Sequence, residues 1–265
     1  MKKFVYILMA LILAGCFQVK TTVQVKKDGS GTLTQKVLMS TEFMQSMQQM
    51  AQSFDANDEK DDIFFDEEEL KAEASQYGDM VRFVSARKLE EGSMSGYEAV
   101  YEFDNIEKLT ISESPEEKLM GQEPGEIINF QFSKGNPARL NIIMPNDELR
   151  EDEEFNEDDV IAEDYEDSTE ITEKEREMLQ QMYKNMKVEM EIVFDGKIVN
   201  TNSSFQSGNK ICLLQMDFEK LMEDPQTLKY LAAQKEQDPA AIKSTMANIP
   251  GVKVETAPEI FVEFK

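Results

Sequence analysis

The chain has 265 residues and a net charge of −25, with 53 acids against 28 lysines and arginines, which excludes a broad basic footprint for nucleic acid. It contains no histidine, so a Ser-His-Asp triad, a Cys-His pair and a His-ligated zinc or iron site are excluded too. Its two cysteines cannot build a four-cysteine metal site or a multi-disulfide framework, so no metal or other cofactor is expected, and most of what remains is binding and structural work.

Lys2 and Lys3 form a basic start, and residues 4–14 are an unbroken apolar run. A spanning helix needs about 20 such residues, so this run reads as the hydrophobic region of a signal peptide. Leu13-Ala14-Gly15-Cys16 follows and resembles the bacterial lipoprotein lipobox. That resemblance implies cleavage between Gly15 and Cys16, a diacylglycerol thioether on Cys16 and further acylation of the new amine, so that residues 1–15 are removed and the mature chain starts at Cys16. One acyl chain binds a bilayer only marginally, whereas two or three hold a protein there without a transmembrane helix. The expected place is the bacterial cell envelope, lipid-anchored and extracytoplasmic, facing the periplasm if the host has one.

Residues 18–27 alternate, with Val19, Thr21, Val23 and Val25 on one side and polar residues on the other, as in a half-buried strand. Asp28-Gly29-Ser30-Gly31 predicts a hairpin turn, and 32–39 the returning strand. Ser40 and Thr41 are N-cap candidates for a helix to about residue 54, with Phe43, Met44, Met47, Met50 and Phe54 forming an apolar side. Residues 55–69 then hold nine acids and one lysine, and 146–170 hold fourteen acids and one arginine. Blocks of like charge stay solvated, so both predict acidic insertions in a nearly neutral body, with 67–77 helical at the end of the first. The run from Asp55 misses the glycine and the bidentate glutamate that a calcium loop of the EF-hand kind needs.

Strands are predicted at 80–90 and 97–103, joined by Glu91–Gly96, and at 127–132 and 139–144, joined around Lys134-Gly-Asn-Pro137. Residues 172–186 predict a second methionine-bearing helix, with Met178, Met182 and Met186 on one side. Three antiparallel strands follow at 188–194, 198–201 and 210–216, the first two joined by a turn at Asp195-Gly196. Asp224-Pro225 and Asp238-Pro239 each place an N-cap before a proline and start two late helices. Strands at 252–255 and 260–264 close the chain. Hairpins with helices between them give an α+β fold, one extracytoplasmic domain over 16–265 with an antiparallel sheet and packed amphipathic helices.

Chemical motifs are mostly negative. Gly92-Ser-Met-Ser-Gly96 has methionine where a nucleophile elbow needs serine, and Ser85-Ala-Arg-Lys88 has the acyl-enzyme serine–lysine spacing without its partner motifs. Cys212, left alone if Cys16 is lipidated, lies in an apolar strand and reads as a packed, inert thiol, although Lys210 shares its strand face. The 17 methionines are the positive feature, because methionine lines surfaces that adapt to varied apolar ligands. Met44, Met47 and Met50 on one helix and Met178, Met182 and Met186 on another either wall an apolar groove against the sheet or bury ordinary amphipathic faces.

Two stretches resemble the LppM-type lipoprotein domain. One is Cys16 with Val19, Val23, Val25 and Asp28-Gly-Ser-Gly31; the other is Val193-Phe-Asp-Gly-Lys-Ile-Val-Asn-Thr-Asn202 and the strand around Cys212. The family often carries tryptophan near the end of that strand, where this chain has Leu214 and Met216. The resemblance implies a membrane-tethered α+β domain with an apolar cavity for lipid, and no catalytic residues. The expected function is therefore a lipid-anchored, noncatalytic module for an apolar or lipidic ligand or an envelope protein partner. The alternatives are an assembly scaffold acting through protein contacts and a histidine-free carboxylate enzyme acting on polysaccharide.

Overall fold

The computed structural model describes residues 17–45, 65–112, 127–145, 184–223 and 249–265. Gly15, Cys16, Met47, Met50, Met178 and Met182, the two late helices and the acidic stretch at 146–170 lie outside the described residues.

The alternating start of the chain does form a hairpin. β1 (Phe17–Val25) pairs antiparallel with β2 (Gly31–Ser40), in a register running from Phe17 opposite Met39 to Val25 opposite Gly31. β2 leads into a helical turn at 41–45, where Ser40 acts as the cap by accepting from the Phe43 N–H at 3.1 Å. Three acids counted in the first acidic stretch, Glu67, Glu68 and Glu69, form the first turn of helix α1 (Glu67–Ala72). Asp66 caps that turn, and negative charge at a helix start is favourable, so the insertion ends before residue 66. A 3-10 turn (Glu73–Tyr77) continues from α1.

β3 (Val81–Glu91) and β4 (Met94–Phe103) form the next hairpin. Its turn is tighter than the predicted Glu91–Gly96 loop, because Met94, Ser95 and Gly96 pair with Glu91, Glu90 and Leu89. A bulge between Phe83 and Ser85 leaves Val84 as the extra residue, 51% exposed. After a second 3-10 turn (Ile106–Lys108) come the short β5 (Ile111–Ser112), then β6 (Ile127–Ser133) and β7 (Ala138–Ile143), paired antiparallel.

The remaining strands are β8 (Lys187–Phe194), β9 (Ile198–Thr201), β10 (Gln206–Ser207), β11 (Lys210–Asp217), β12 (Val252–Val254) and β13 (Glu259–Phe264), with helix α2 (Phe218–Glu223) after β11. They correct the expected topology twice. β8 lies alongside β1 in parallel, so the sheet is mixed. Asp195-Gly196 is no hairpin turn, because β8 and β9 belong to different sheets. β8 already pairs on both sides, with β1 and β11, and offers β9 no free ladder. β9 instead pairs with β13. Lys197 and Lys265 exchange backbone hydrogen bonds of 2.8 and 3.0 Å, which ties down the last residue.

Two sheets result, in place of the single one predicted. The larger runs β10-β11-β8-β1-β2-β4-β3, with β12 on β11, and the smaller runs β5-β6-β7-β13-β9. The fold is dominated by strands, with little helix among the described residues. One core joins the sheets: Val23, Val25, Leu33, Ile192 and Phe194 from the larger meet Ile128, Leu140, Ile142, Val262 and Phe264 from the smaller. Phe264 lies 4.8 Å, centroid to centroid, from Phe194 across the layer and 6.5 Å from Phe132 within its own sheet. Among the described residues, no helix is long and apolar enough to cross a membrane.

Candidate functional site: the inner face of the larger sheet

Strand register divides the inner face of the larger sheet into rows. Nearest the turn at 26–30, Val25, Gly31, Phe103 and Phe194 share one row, and Val23, Leu33, Tyr101, Ile192 and Ile211 the next. These two rows are where the smaller sheet packs. At the opposite end, Met39 lies beside Phe17, and Val37 and Val188 flank Val19. Met186 and Phe218 extend the Phe17 row, with the Phe218 N–H donating to the Met186 carbonyl at 3.1 Å. Phe17, Val19 and Val188 are buried, and the half-exposed Met39, Met186, Leu214 and Phe218 pack against them. This end of the sheet therefore holds a second, smaller apolar cluster, with Leu214 packed against both it and the main core.

A polar row lies between the two halves. Thr21 stands opposite Gln35 on β2 and Met190 on β8, and Gln35 stands opposite Ala99 on β4. Thr21 is 3% exposed and Gln35 6%. The 3-10 turn brings Tyr77 over this row, where its hydroxyl donates to Gln35 Oε1. Tyr77 also packs against Tyr101, the rings tilted by 52° with centres 4.9 Å apart, and the Tyr101 hydroxyl donates to the Leu70 carbonyl at 3.1 Å. Burial, with the nearby Glu73 carboxylate adding to it, holds the phenols of Tyr77, Tyr97 and Tyr101 above the usual tyrosine range. They stay protonated donors at any physiological pH.

Of the predicted methionines, two fall in the described residues. Met186 sits in the apolar Phe17 row. Met44 lies half-buried in the turn at 41–45, just beyond the same end of β2. Sequence reading placed Thr21 on the valine face of β1 but gave it no role, and it missed Gln35 and Tyr77. The one available signal was a hydroxyl interrupting a valine face; Tyr77 joins Gln35 across 42 residues, with no local pattern to announce it.

The outer face is electrostatic. Lys20 bridges Glu189 and Glu191 at 3.0 and 2.9 Å, and Lys210 binds the other oxygen of Glu191 at 2.7 Å. Burial alone would raise the Glu191 pKa, but hydrogen bonds from Lys20 and Lys210 outweigh it and hold the carboxyl below its ordinary range. The sign follows: this contribution is complete above the unfolded carboxyl's pKa and disappears as pH falls through the folded one. Acid titration of Glu191→Gln, followed by thermal melts, is expected to show a flatter loss of stability than wild type; parallel curves would refute the coupling.

Lys210 is engaged by Glu191, and the pull of Lys253 on the Cys212 thiol does not offset its burial. Burial pushes that thiol up to about 11, which keeps it protonated and unreactive at neutral pH. In the smaller sheet, Asn202 extends the ladder beyond β9: its amide donates to the Glu259 carbonyl at 2.9 Å and its oxygen accepts from the Phe261 N–H at 2.7 Å.

No protein-family model and no curated protein matches the chain. Among solved structures, the NMR structure of the folded domain of the Mycobacterium tuberculosis LppM protein aligns over 77% of this chain and 84% of that one, at 10% identity and a TM-score of 0.34. The likeness is slight and leaves the function to be argued from the residues themselves.

Proposed function

We propose that the chain is a membrane-tethered, extracytoplasmic lipoprotein whose larger sheet receives an apolar or lipidic ligand at its tethered end, without catalysis. The observation that carries this reading is a coincidence of position. β1 begins at Phe17, the residue after the lipobox cysteine. The same end presents Phe17, Met39, Met186 and Phe218 as an apolar row. A lipid anchor on Cys16 leaves almost no spacer, so this row lies close to the bilayer, where an apolar ligand enters or leaves most readily. Met39, Met186 and Phe218 are half-exposed, and the flexible methionine side chains suit ligands of varied shape.

The anchor is tested by labelling cells with palmitate. Wild type is expected to incorporate the label and sediment with membranes; Cys16→Ser is expected to lose the label, and the protein should leave the acyl-dependent membrane fraction. Undiminished labelling of the variant would overturn the anchor. The cargo is tested by extracting purified wild-type protein and analysing the extract by mass spectrometry, after subtracting the covalent acyl chains. A stoichiometric amphiphile is expected, and its absence counts against the binding role.

A further inference from the structure

Lysines gather at the end of the fold away from Phe17. The turn at 26–30 brings Lys26 and Lys27, the second 3-10 turn Lys108, the β6–β7 turn Lys134 and the β8–β9 connection Lys197, while Lys265 follows β13; all six are exposed. The backbone holds these segments together. The Asp195 N–H donates to the Val25 carbonyl at 2.8 Å, and the Ile106 N–H to the Gly29 carbonyl at 2.9 Å. Lys197 and Lys265 exchange both of their backbone hydrogen bonds, so they stand directly opposite each other, with Cβ atoms about 5.5 Å apart. Lys27 reaches the same place: a Cβ at Gly196 would lie 3.3 Å from Lys27 Cε and 2.6 Å from the Lys265 carbonyl oxygen. Like charges directly opposite in a sheet are destabilising, and this chain has 53 acids with which to offset them. Elsewhere it does so. Lys20, Lys36, Lys187 and Lys210 each meet a carboxylate within 3.0 Å. Among the described residues, none of the six lysines at this tip forms an ion pair. Most acids of the tip are engaged otherwise: Asp28 accepts from the N–H and hydroxyl of Ser30, Glu107 from the Phe132 N–H, and Asp104 from Arg82. Asp195 is left exposed beside them.

We propose that this lysine tip binds a linear polyanion that carries phosphate groups along its length. Spacing sets the polymer: exposed charges contributed by separate turns match a chain of repeated anions, not one ion in a closed pocket. Chemistry sets the phosphate. Lysine meets phosphate as a point charge with three donors, whereas carboxylates are gripped best by the planar fork of arginine. The two arginines next to the tip are already engaged, Arg82 by Asp104 and Arg139 by Glu263. The charge of the whole chain, −25, opposes such a ligand, so the attraction is local to the tip and extends about 10 Å at 0.1 M salt. The proposal is independent of the apolar ligand, whose row lies at the other end of the sheet.

The test offers the full chain three probes at about 0.1 M salt: long-chain polyphosphate, poly-L-glutamate and inorganic phosphate. The parent is expected to bind polyphosphate more tightly than polyglutamate, and inorganic phosphate at equal phosphorus is expected not to displace it. Replacing both Lys197→Gln and Lys265→Gln is expected to weaken polyphosphate binding about tenfold or more, the worth of two lysines close to an anionic surface. Replacing both with arginine is expected to retain it. Lys71→Gln with Lys253→Gln removes two exposed lysines outside the tip and the same total charge, and is expected to change the affinity less than about twofold, because distant charges are screened. The Lys197→Gln, Lys265→Gln protein is expected to melt no lower than the parent, since it loses a like-charge pair and no core packing; a lower melting point would overturn that premise. Equal losses in the two glutamine double variants would mean that the tip is no site. Polyglutamate held as tightly as polyphosphate would replace the phosphate polymer with an acidic protein, and displacement by inorganic phosphate would replace it with a free ion. A parent that does not retain polyphosphate overturns the proposal outright.

Discussion

Replacing Phe264 with alanine is expected to destabilise the protein by about 3–5 kcal/mol, the range for deleting a buried phenyl ring. Phe264 is fully buried and stands at the junction of the two layers, against Phe194 of the larger sheet and Phe132 of the smaller. It also pairs with Ile198 on one side and Ala138 on the other, so a cavity there is lined by several strands that cannot all collapse into it. Phe261 gives the internal comparison. It lies on the same strand but on the outer face, half-exposed, with the Arg139 guanidinium 4.5 Å from its ring centre. Phe261→Ala therefore removes a partly solvated cation–π contact worth about 0.5–1 kcal/mol and little core packing. Urea denaturation of both variants checks the contrast. Equal losses would mean that the two sheets do not share the core assigned to them.

That core also shows which parts of the fold could be read from local pattern. Strands with one wet and one dry face announce themselves by alternation, and β1, β2, β7, β8 and β13 all begin and end within a residue or two of their predicted bounds. Turn chemistry is less decisive. Asp195-Gly196 has the residues of a hairpin turn, yet what decides the path after β8 is that both of its edges are occupied, a fact contributed by β1 and β11. The parallel pairing of β1 with β8 is equally invisible locally, since it joins residues 169 apart, as the Lys20–Glu189 bond shows. The candidate site follows the same division. Of its apolar row, Met186 stands out because methionine is conspicuous by composition, but as the end of a helix predicted at 172–186; it lies instead in the non-helical approach to β8. Its polar row was not legible, because Thr21, Gln35 and Tyr77 come from three separate segments, each looking ordinary on its own.

The register that creates these rows can be challenged directly at Gly31. A Cβ at that position would lie 1.9 Å from the Gln24 carbonyl oxygen and 2.6 Å from Phe103 Cζ. The obstacle on one side is the backbone of β1, so no side-chain rotation relieves it. Gly31→Ala is expected to cost about 3 kcal/mol or more, at or above the upper end for overpacking, because β1 and β2 must separate where their hairpin closes. Gly92, in the β3–β4 turn, is the control: its φ is +62°, and an added Cβ would meet nothing within 4 Å. Gly92→Ala should cost only the left-handed backbone penalty of about 1–2 kcal/mol. Thermal melts of the two variants separate the causes, since one reports close approach between strands and the other local conformation. A Gly31→Ala protein as stable as wild type would place Val25 and Phe103 out of register with residue 31. It would also shift the rows along β1 and remove the alignment of Thr21 with Gln35 on which the polar row depends.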